Sequence, residues 1–163
     1  MMIKLTDLDR FRAILQAPQN AHLNLPTNIA EWVDHQGSLT QKLLQVCGDL
    51  KVKISREEWV EISENPTACW LREVVLQCGN QNWVFAQTWI PKPTVENVAQ
   101  SVLTLGDQPI GLWLFAQNPQ RVDFQYGQDA ETGLFYRHSH YLLHNYPLEI
   151  RELFLPDFTF KKD

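Results

Sequence analysis

The chain has 163 residues, enough for one buried core, and its 44% hydrophobic content with six Trp, eight Phe and four Tyr is that of a folded protein rather than a disordered one. A formal net charge of −5 argues against a nucleic-acid surface and against binding to anionic membranes. The longest apolar run, Ile110 to Ala116, is too short to span a bilayer, and the N-terminus is broken by Lys4, Asp7, Asp9, Arg10 and Arg12, unlike a signal peptide.

Helical spacing of Leu8, Phe11, Ile14 and Leu15 predicts an amphipathic helix from Thr6 to Pro18, and residues 16–26 read as a loop. A short helix from Thr27 through Trp32 and Val33 stops at Gly37. Ser38-Leu39-Thr40-Gln41 has capping-box spacing and opens another helix through Leu43, Leu44 and Val46 to Gly48. These two helices form a hairpin that can lie over a sheet as a flap or simply complete the core.

Leu50, Val52 and Ile54 alternate with Lys51 and Lys53 as a half-exposed strand. The acidic stretch from Arg56 to Pro66 reads as irregular or briefly strand-like. Cys69–Cys78 and Trp83–Ile90 flank a Gly/Asn turn and predict a hairpin. Thr94 is read as the cap of a helix carrying Val95, Val98, Ala99, Val102 and Leu103, stopped at Gly106. Pro109 suits the first position of a further helix, where the N–H groups of Ile110 and Gly111 suit a carboxylate. Strands follow at Arg121–Tyr126, Leu134–His144 and Leu148–Pro156. The order predicts an α+β fold: one antiparallel sheet of about six strands with helices on one side.

Alternation places Trp70, Arg72, Val74, Leu76 and Cys78 on one face of the first hairpin strand. Arg72 is the misfit in that row, and a buried cation requires an anion. In the last strand Leu148, Ile150, Glu152 and Phe154 share a face, with Glu152 as the opposite misfit. Two explanations stand open: a core ion pair between Arg72 and Glu152, or a dry pocket with a cation for a ligand carboxylate and a carboxylate for proton work.

Three cysteines, Cys47, Cys69 and Cys78, lack zinc-finger spacing and are read as reduced thiols; Cys69 and Cys78 fall on opposite faces of one strand. His138 and His140 share a face, but no third ligand at suitable spacing completes a metal site, and His144 lies too far along. No phosphate loop, nucleophile elbow or Cys/His nucleophile pair is present. No metal and no cofactor are expected.

Gly37-Ser38-Leu39-Thr40, Trp70-Leu71-Arg72-Glu73, the Gly106–Phe115 segment with Pro109-Ile110-Gly111, Asp123-Phe124, and Glu152-Leu153-Phe154-Leu155-Pro156 resemble the chorismate pyruvate-lyase family of ubiquinone biosynthesis. The likeness runs in order from about Asn28 to Pro156. It implies a sheet with helical flaps sealing a buried pocket, and elimination of pyruvate from chorismate to leave 4-hydroxybenzoate. By this resemblance Arg72 binds the ring carboxylate, Glu152 meets the ring hydroxyl, the backbone of Ile110 contacts the ligand, and Leu39 lines the pocket from the flap. The family's basic stretch after Asp123-Phe124 is reduced here to Arg137, followed by His138 and His140, and Gln87 stands near a position where the family often has arginine. The expected setting is a cytoplasmic monomer with one domain over residues 1–163. A non-catalytic domain of the same fold, sensing small aromatic acids, is the alternative.

Overall fold

In the computed structural model of the chain, residues 5–16, 24–62 and 65–160 are described. The strands are β1 (Lys51–Ile62), β2 (Asn65–Cys78), β3 (Gln81–Pro91), β4 (Gln120–Gln128), β5 (Phe135–Leu143) and β6 (Tyr146–Phe154). They form one open antiparallel sheet in the order β1-β2-β3-β6-β5-β4. The helices are α1 (Leu5–Gln16), α2 (Thr27–Val33), α3 (Leu39–Val46), α4 (Lys92–Val98) and α5 (Ile110–Phe115). The α+β expectation holds, and none of the helices among the described residues is long and apolar enough to cross a membrane.

Two tight turns set the hairpins. Gly79-Asn80 joins β2 to β3 with Gly79 at φ +57°, a backbone that glycine adopts without a Cβ clash. His144 and Asn145 join β5 to β6 at φ 48° and 73°, so His144 is a turn residue rather than the end of a strand. The long excursion between β3 and β6 supplies α4, α5, β4 and β5 and returns β6 to the centre of the sheet, beside β3.

The two faces of the sheet divide the core. Val74, Leu76, Val84, Ala86 and Phe154 pack against Trp32 and Val33 of α2 and Leu39 and Leu43 of α3. On the same face Ile90, Tyr141, Leu148 and Ile150 meet Val95 of α4 and Ile110 and Leu114 of α5. Val75, Phe85, Tyr136 and Leu153 point the other way and are covered by Leu8 and Leu15 of α1. Four helices thus share one side, and α1 lies on the other.

Three local readings change. The acidic stretch is strand: β1 continues to Ile62, with Ser55 bulged out of the register between Ile54↔Val74 and Arg56↔Glu73. The bulge shifts the alternation by one, so Glu57, not Arg56, stands opposite Arg72. Thr94 is not a cap: α4 starts at Lys92 after Pro91, with proline in its first turn, and Thr94 Oγ1 donates to the Pro147 carbonyl at 2.7 Å. The helix ends at Val98, and a 3-10 turn over Gln100–Thr104 follows.

Nor are all three cysteines thiols. Cys47, which ends α3, is bonded to Cys78, the last residue of β2, across a Cα–Cα distance of 6.0 Å. Spacing within β2 hides this pairing, because the partner comes from a helix docked on the sheet. Cys69 is free and buried.

Candidate active site

Between the sheet and the α2–α3 flap lies a small cavity of about 30 Å³. Its floor is apolar, from Val52, Val74, Leu76, Ala86 and Ile150. Polar groups enter from Thr88, Tyr141, Arg137 and Glu152. A largely dry floor with a few convergent polar groups is the usual make-up of a small-molecule site.

The roof is local sequence at work. Ser38 Oγ accepts from Gln41 N at 3.2 Å, which starts α3 directly above the sheet and turns Leu39 and Thr40 inward. Gly37, Ser38, Leu39 and Thr40 all line the cavity, and so do Pro109, Ile110 and Gly111 at the start of α5. A Cβ on Gly111 would stand 2.8 Å from Thr40 Oγ1, so glycine is what lets α5 and the flap close on one another.

Arg72 is 1% exposed and projects to the flap side of β2 as parity requires. Its Nη1 lies 3.1 Å from Glu57 Oε2, and its Nη2 donates to the Gln108 carbonyl at 2.8 Å. Among the described residues its Nε has no partner. Arg72 itself does not line the cavity; Val74, the next residue on that face of β2, and Thr88, its neighbour across β3, do.

Glu152 does line the cavity, paired through Ala86 of β3 with Val74 of β2. A direct Arg72–Glu152 ion pair, one of the two explanations left open by the sequence, is overturned: two strand spacings, about 10 Å, separate their strands, and each ion has its own partner. That of Glu152 is Arg137, whose Nε lies 3.0 Å from Glu152 Oε1. This contact is an ion pair without hydrogen-bond alignment. No hydrogen bond to the Glu152 carboxylate forms among the described residues, so its acceptor positions are free for a ligand.

Of the four residues expected at the site, Leu39, Ile110 and Glu152 come together around the cavity, and Arg72 is buried just beyond its wall. Two others were missed. Glu57 was hidden by the bulge at Ser55. Arg137, named from the sequence only as the remnant of the family's basic stretch, shares its face with Ser139 and Tyr141 and so broke no apolar row; the β5–β6 register sets it directly opposite Glu152.

The α1 face carries a separate polar set. Glu73 is fully buried and receives Arg12 Nη2 at 2.6 Å, Gln87 Nε2 at 2.9 Å and Ser55 Oγ at 3.0 Å. Burial pushes its carboxyl up, but the hydrogen bonds from Arg12 and Gln87 outweigh that and hold it below the usual carboxylate range. His138 is pushed down to about 4 by burial and by the charge of Arg151, against the pull of Glu149. It is therefore neutral at pH 7, and its Nδ1, 3.8 Å from Glu149 Oε1, forms no ion pair there. His140 sits between Asp123 and Glu149 at 3.5 and 3.6 Å. Among the described residues the one group close enough for a metal is Cys47, Asp49 and Cys78, and its two sulfurs are already bonded to each other.

The chorismate lyase family model matches residues 11–163. Curated relatives named chorismate pyruvate-lyase include one from Pectobacterium atrosepticum, 34% identical over 82% of this chain and 80% of its own. Another, from Sodalis glossinidius, is 37% identical over 77% of this chain and 76% of its own. Among solved structures, one described as the ligand-binding domain of a GntR-family transcriptional regulator from Bordetella bronchiseptica aligns with TM-score 0.51 at 14% identity, covering 71% of this chain and 91% of that one. That likeness extends to the fold alone. With its family match over nearly the whole length and a flap-covered cavity holding Glu152, the chain belongs to the chorismate lyase family and is a lyase.

Proposed function

We propose that this protein is a chorismate pyruvate-lyase that releases pyruvate from chorismate and leaves 4-hydroxybenzoate, in the cytoplasm and for ubiquinone biosynthesis, as a monomer with a single domain over residues 1–163. The observation that carries the reading is Glu152: a carboxylate in a flap-covered apolar cavity, held by an ion pair yet with its hydrogen-bond acceptors free. The names of the relatives supply the substrate.

In this elimination the C–O bond between the ring and the enolpyruvyl group breaks, and a proton leaves the adjacent ring carbon that bears the hydroxyl. The enolpyruvate takes up a proton and becomes pyruvate. Aromatisation of the ring supplies the driving force, so the work left to the protein is positioning and electrostatics in a water-poor space. Arg72 anchors the ring carboxylate by a charge-assisted pair, drawing on the donor that Glu57 and Gln108 leave unused. Glu152 orients the ring hydroxyl or accepts the ring proton. Leu39 and Ile110 close over the ring and exclude water, and reopening of the flap governs release of product.

Incubating the protein with chorismate tests this, following pyruvate through lactate dehydrogenase and 4-hydroxybenzoate by chromatography. Equal amounts of the two products are expected. Neither product from folded protein sinks the enzyme reading. Turnover by Arg72→Ala and Glu152→Gln equal to that of the unaltered protein sinks the residue roles.

A further inference from the structure

Arg137 is the largest charged side chain lining the cavity, and it is 1% exposed. It reaches in two directions at once. Its Nε stands 3.0 Å from Glu152 Oε1, across the Arg137↔Glu152 register of β5 and β6. Its Nη1 donates to the carbonyls of Trp32 at 3.2 Å and His35 at 3.0 Å, with Val33 at 3.5 Å. These carbonyls sit at and just past the C-terminal end of α2, where that of Trp32 also accepts from His35 N at 3.4 Å. Two residues after His35 comes Gly37, the first residue of the cavity roof. The ring of Phe124 lies under the guanidinium, 5.0 Å from its carbon, and keeps it flat between the two sets of contacts.

We propose that Arg137 is a positioning residue that ties the flap hinge to Glu152, so that closing the flap and aiming the catalytic carboxylate are one event. The inference rests on the role given to Glu152 above. Its physical basis is the rigid guanidinium fork, in which the nitrogen facing Glu152 and the nitrogen facing α2 cannot move independently. When the hinge carbonyls are in place the fork is fixed, and with it the side of Glu152 that meets the cation. When the flap swings out, the fork loses that anchor, and Glu152 loses its fixed orientation. Coupling of this kind is reciprocal: disturbing Glu152 must loosen the hinge as surely as disturbing the hinge loosens Glu152.

Kinetics and amide hydrogen exchange on the full chain test this together. Arg137→Lys keeps the charge but offers one ammonium where the guanidinium spans two partners. Its kcat with chorismate is expected at least tenfold below that of the unaltered protein, with a smaller change in KM, and Arg137→Gln is expected to lose more. Because Arg137 acts through Glu152, adding Glu152→Gln to either variant is expected to give turnover no lower than Glu152→Gln alone. Exchange of the amides from Trp32 to Thr40 is expected to quicken in Arg137→Lys and also in Glu152→Gln.

Turnover of Arg137→Lys within twofold of the unaltered protein overturns the proposal, as does a double variant whose loss is the product of the two single losses. Unchanged exchange at the hinge in Glu152→Gln also overturns it, and this measurement decides the matter even if neither Arg137 variant folds. If Glu152→Gln itself turns over normally, the role of Glu152 in the proposed function fails. If Glu152→Gln is impaired while Arg137→Lys is normal, only the coupling fails.

Discussion

Arg72 and Glu152 face the same side of the sheet with β3 between their strands, and each is neutralised by a different ion, Arg72 by Glu57 and Glu152 by Arg137. Had they paired with each other, the space between them would be filled core. Instead Val74, Ala86 and Thr88 form a floor between two separately supported charges. A buried charge held by its own partner can wait in place for a ligand without the cost of an unpaired ion.

Replacing Glu152 by Gln keeps the volume and removes the charge. We expect kcat for pyruvate release to fall by about 10²–10⁴, the range for loss of a positioned acid–base group, with KM little changed. A kcat within a factor of three of the unaltered protein in a steady-state assay argues that Glu152 does no proton work.

Removing Arg72 acts on binding. Arg72→Ala takes away the cation for the ring carboxylate, worth about 2–5 kcal/mol for a buried charge pair, or roughly 30-fold to several-thousand-fold in kcat/KM. Most of the loss is expected in KM. Isothermal titration with 4-hydroxybenzoate checks it independently of turnover, and undiminished affinity would contradict the assignment.

Gly111→Ala puts a Cβ 2.8 Å from Thr40 Oγ1 and 3.3 Å from Thr40 Cβ, both on a buried residue of the flap. Overpacking of this kind costs about 1–3 kcal/mol. The flap is expected to close less completely, so that 4-hydroxybenzoate dissociates faster in a stopped-flow experiment and the melting temperature drops. Unaltered release would mean that α5 and α3 need not meet during turnover.

The Cys47–Cys78 bond closes a loop with a sequence separation of 31 and fastens the far end of the flap helix to β2. Chain-entropy reasoning gives such a loop about 3–4 kcal/mol. Urea denaturation of Cys47→Ser is expected to show that loss under oxidising conditions. Dithiothreitol should reproduce it in the unaltered protein and add nothing in the variant.

His138 makes stability depend on pH. Its folded value is lowered to about 4 from 6.5, so between these values the unfolded chain binds the extra proton. Stability is therefore fully present above 6.5 and is lost as pH falls towards 4, by up to about 3 kcal/mol. Melting curves from pH 7 to pH 4 should fall less steeply in His138→Gln. Parallel curves for the two proteins would assign the acid sensitivity elsewhere.

The sequence by itself determined which side chains would be misfits. Alternation in Cys69–Cys78 and Leu148–Phe154 put Arg72 and Glu152 in apolar rows, because the two-residue period of a strand is a local property of the backbone. Ser38 and Gln41 marked the start of α3, and Gly37 the break before it, for the same local reason. The order of the strands, by contrast, comes from contacts between residues far apart in the chain. Only the tertiary structure decided that β3 lies between β2 and β6 and that Arg72 and Glu152 therefore stand apart. A single bulge at Ser55 moved Glu57 onto the face of Arg72, against the simple alternation of β1. Docking of α3 brought Cys47 to Cys78, and the β5–β6 register brought Arg137 to Glu152. Parity names the buried charge; the packing of distant segments chooses its partner, and here those choices separate a site from a filled core.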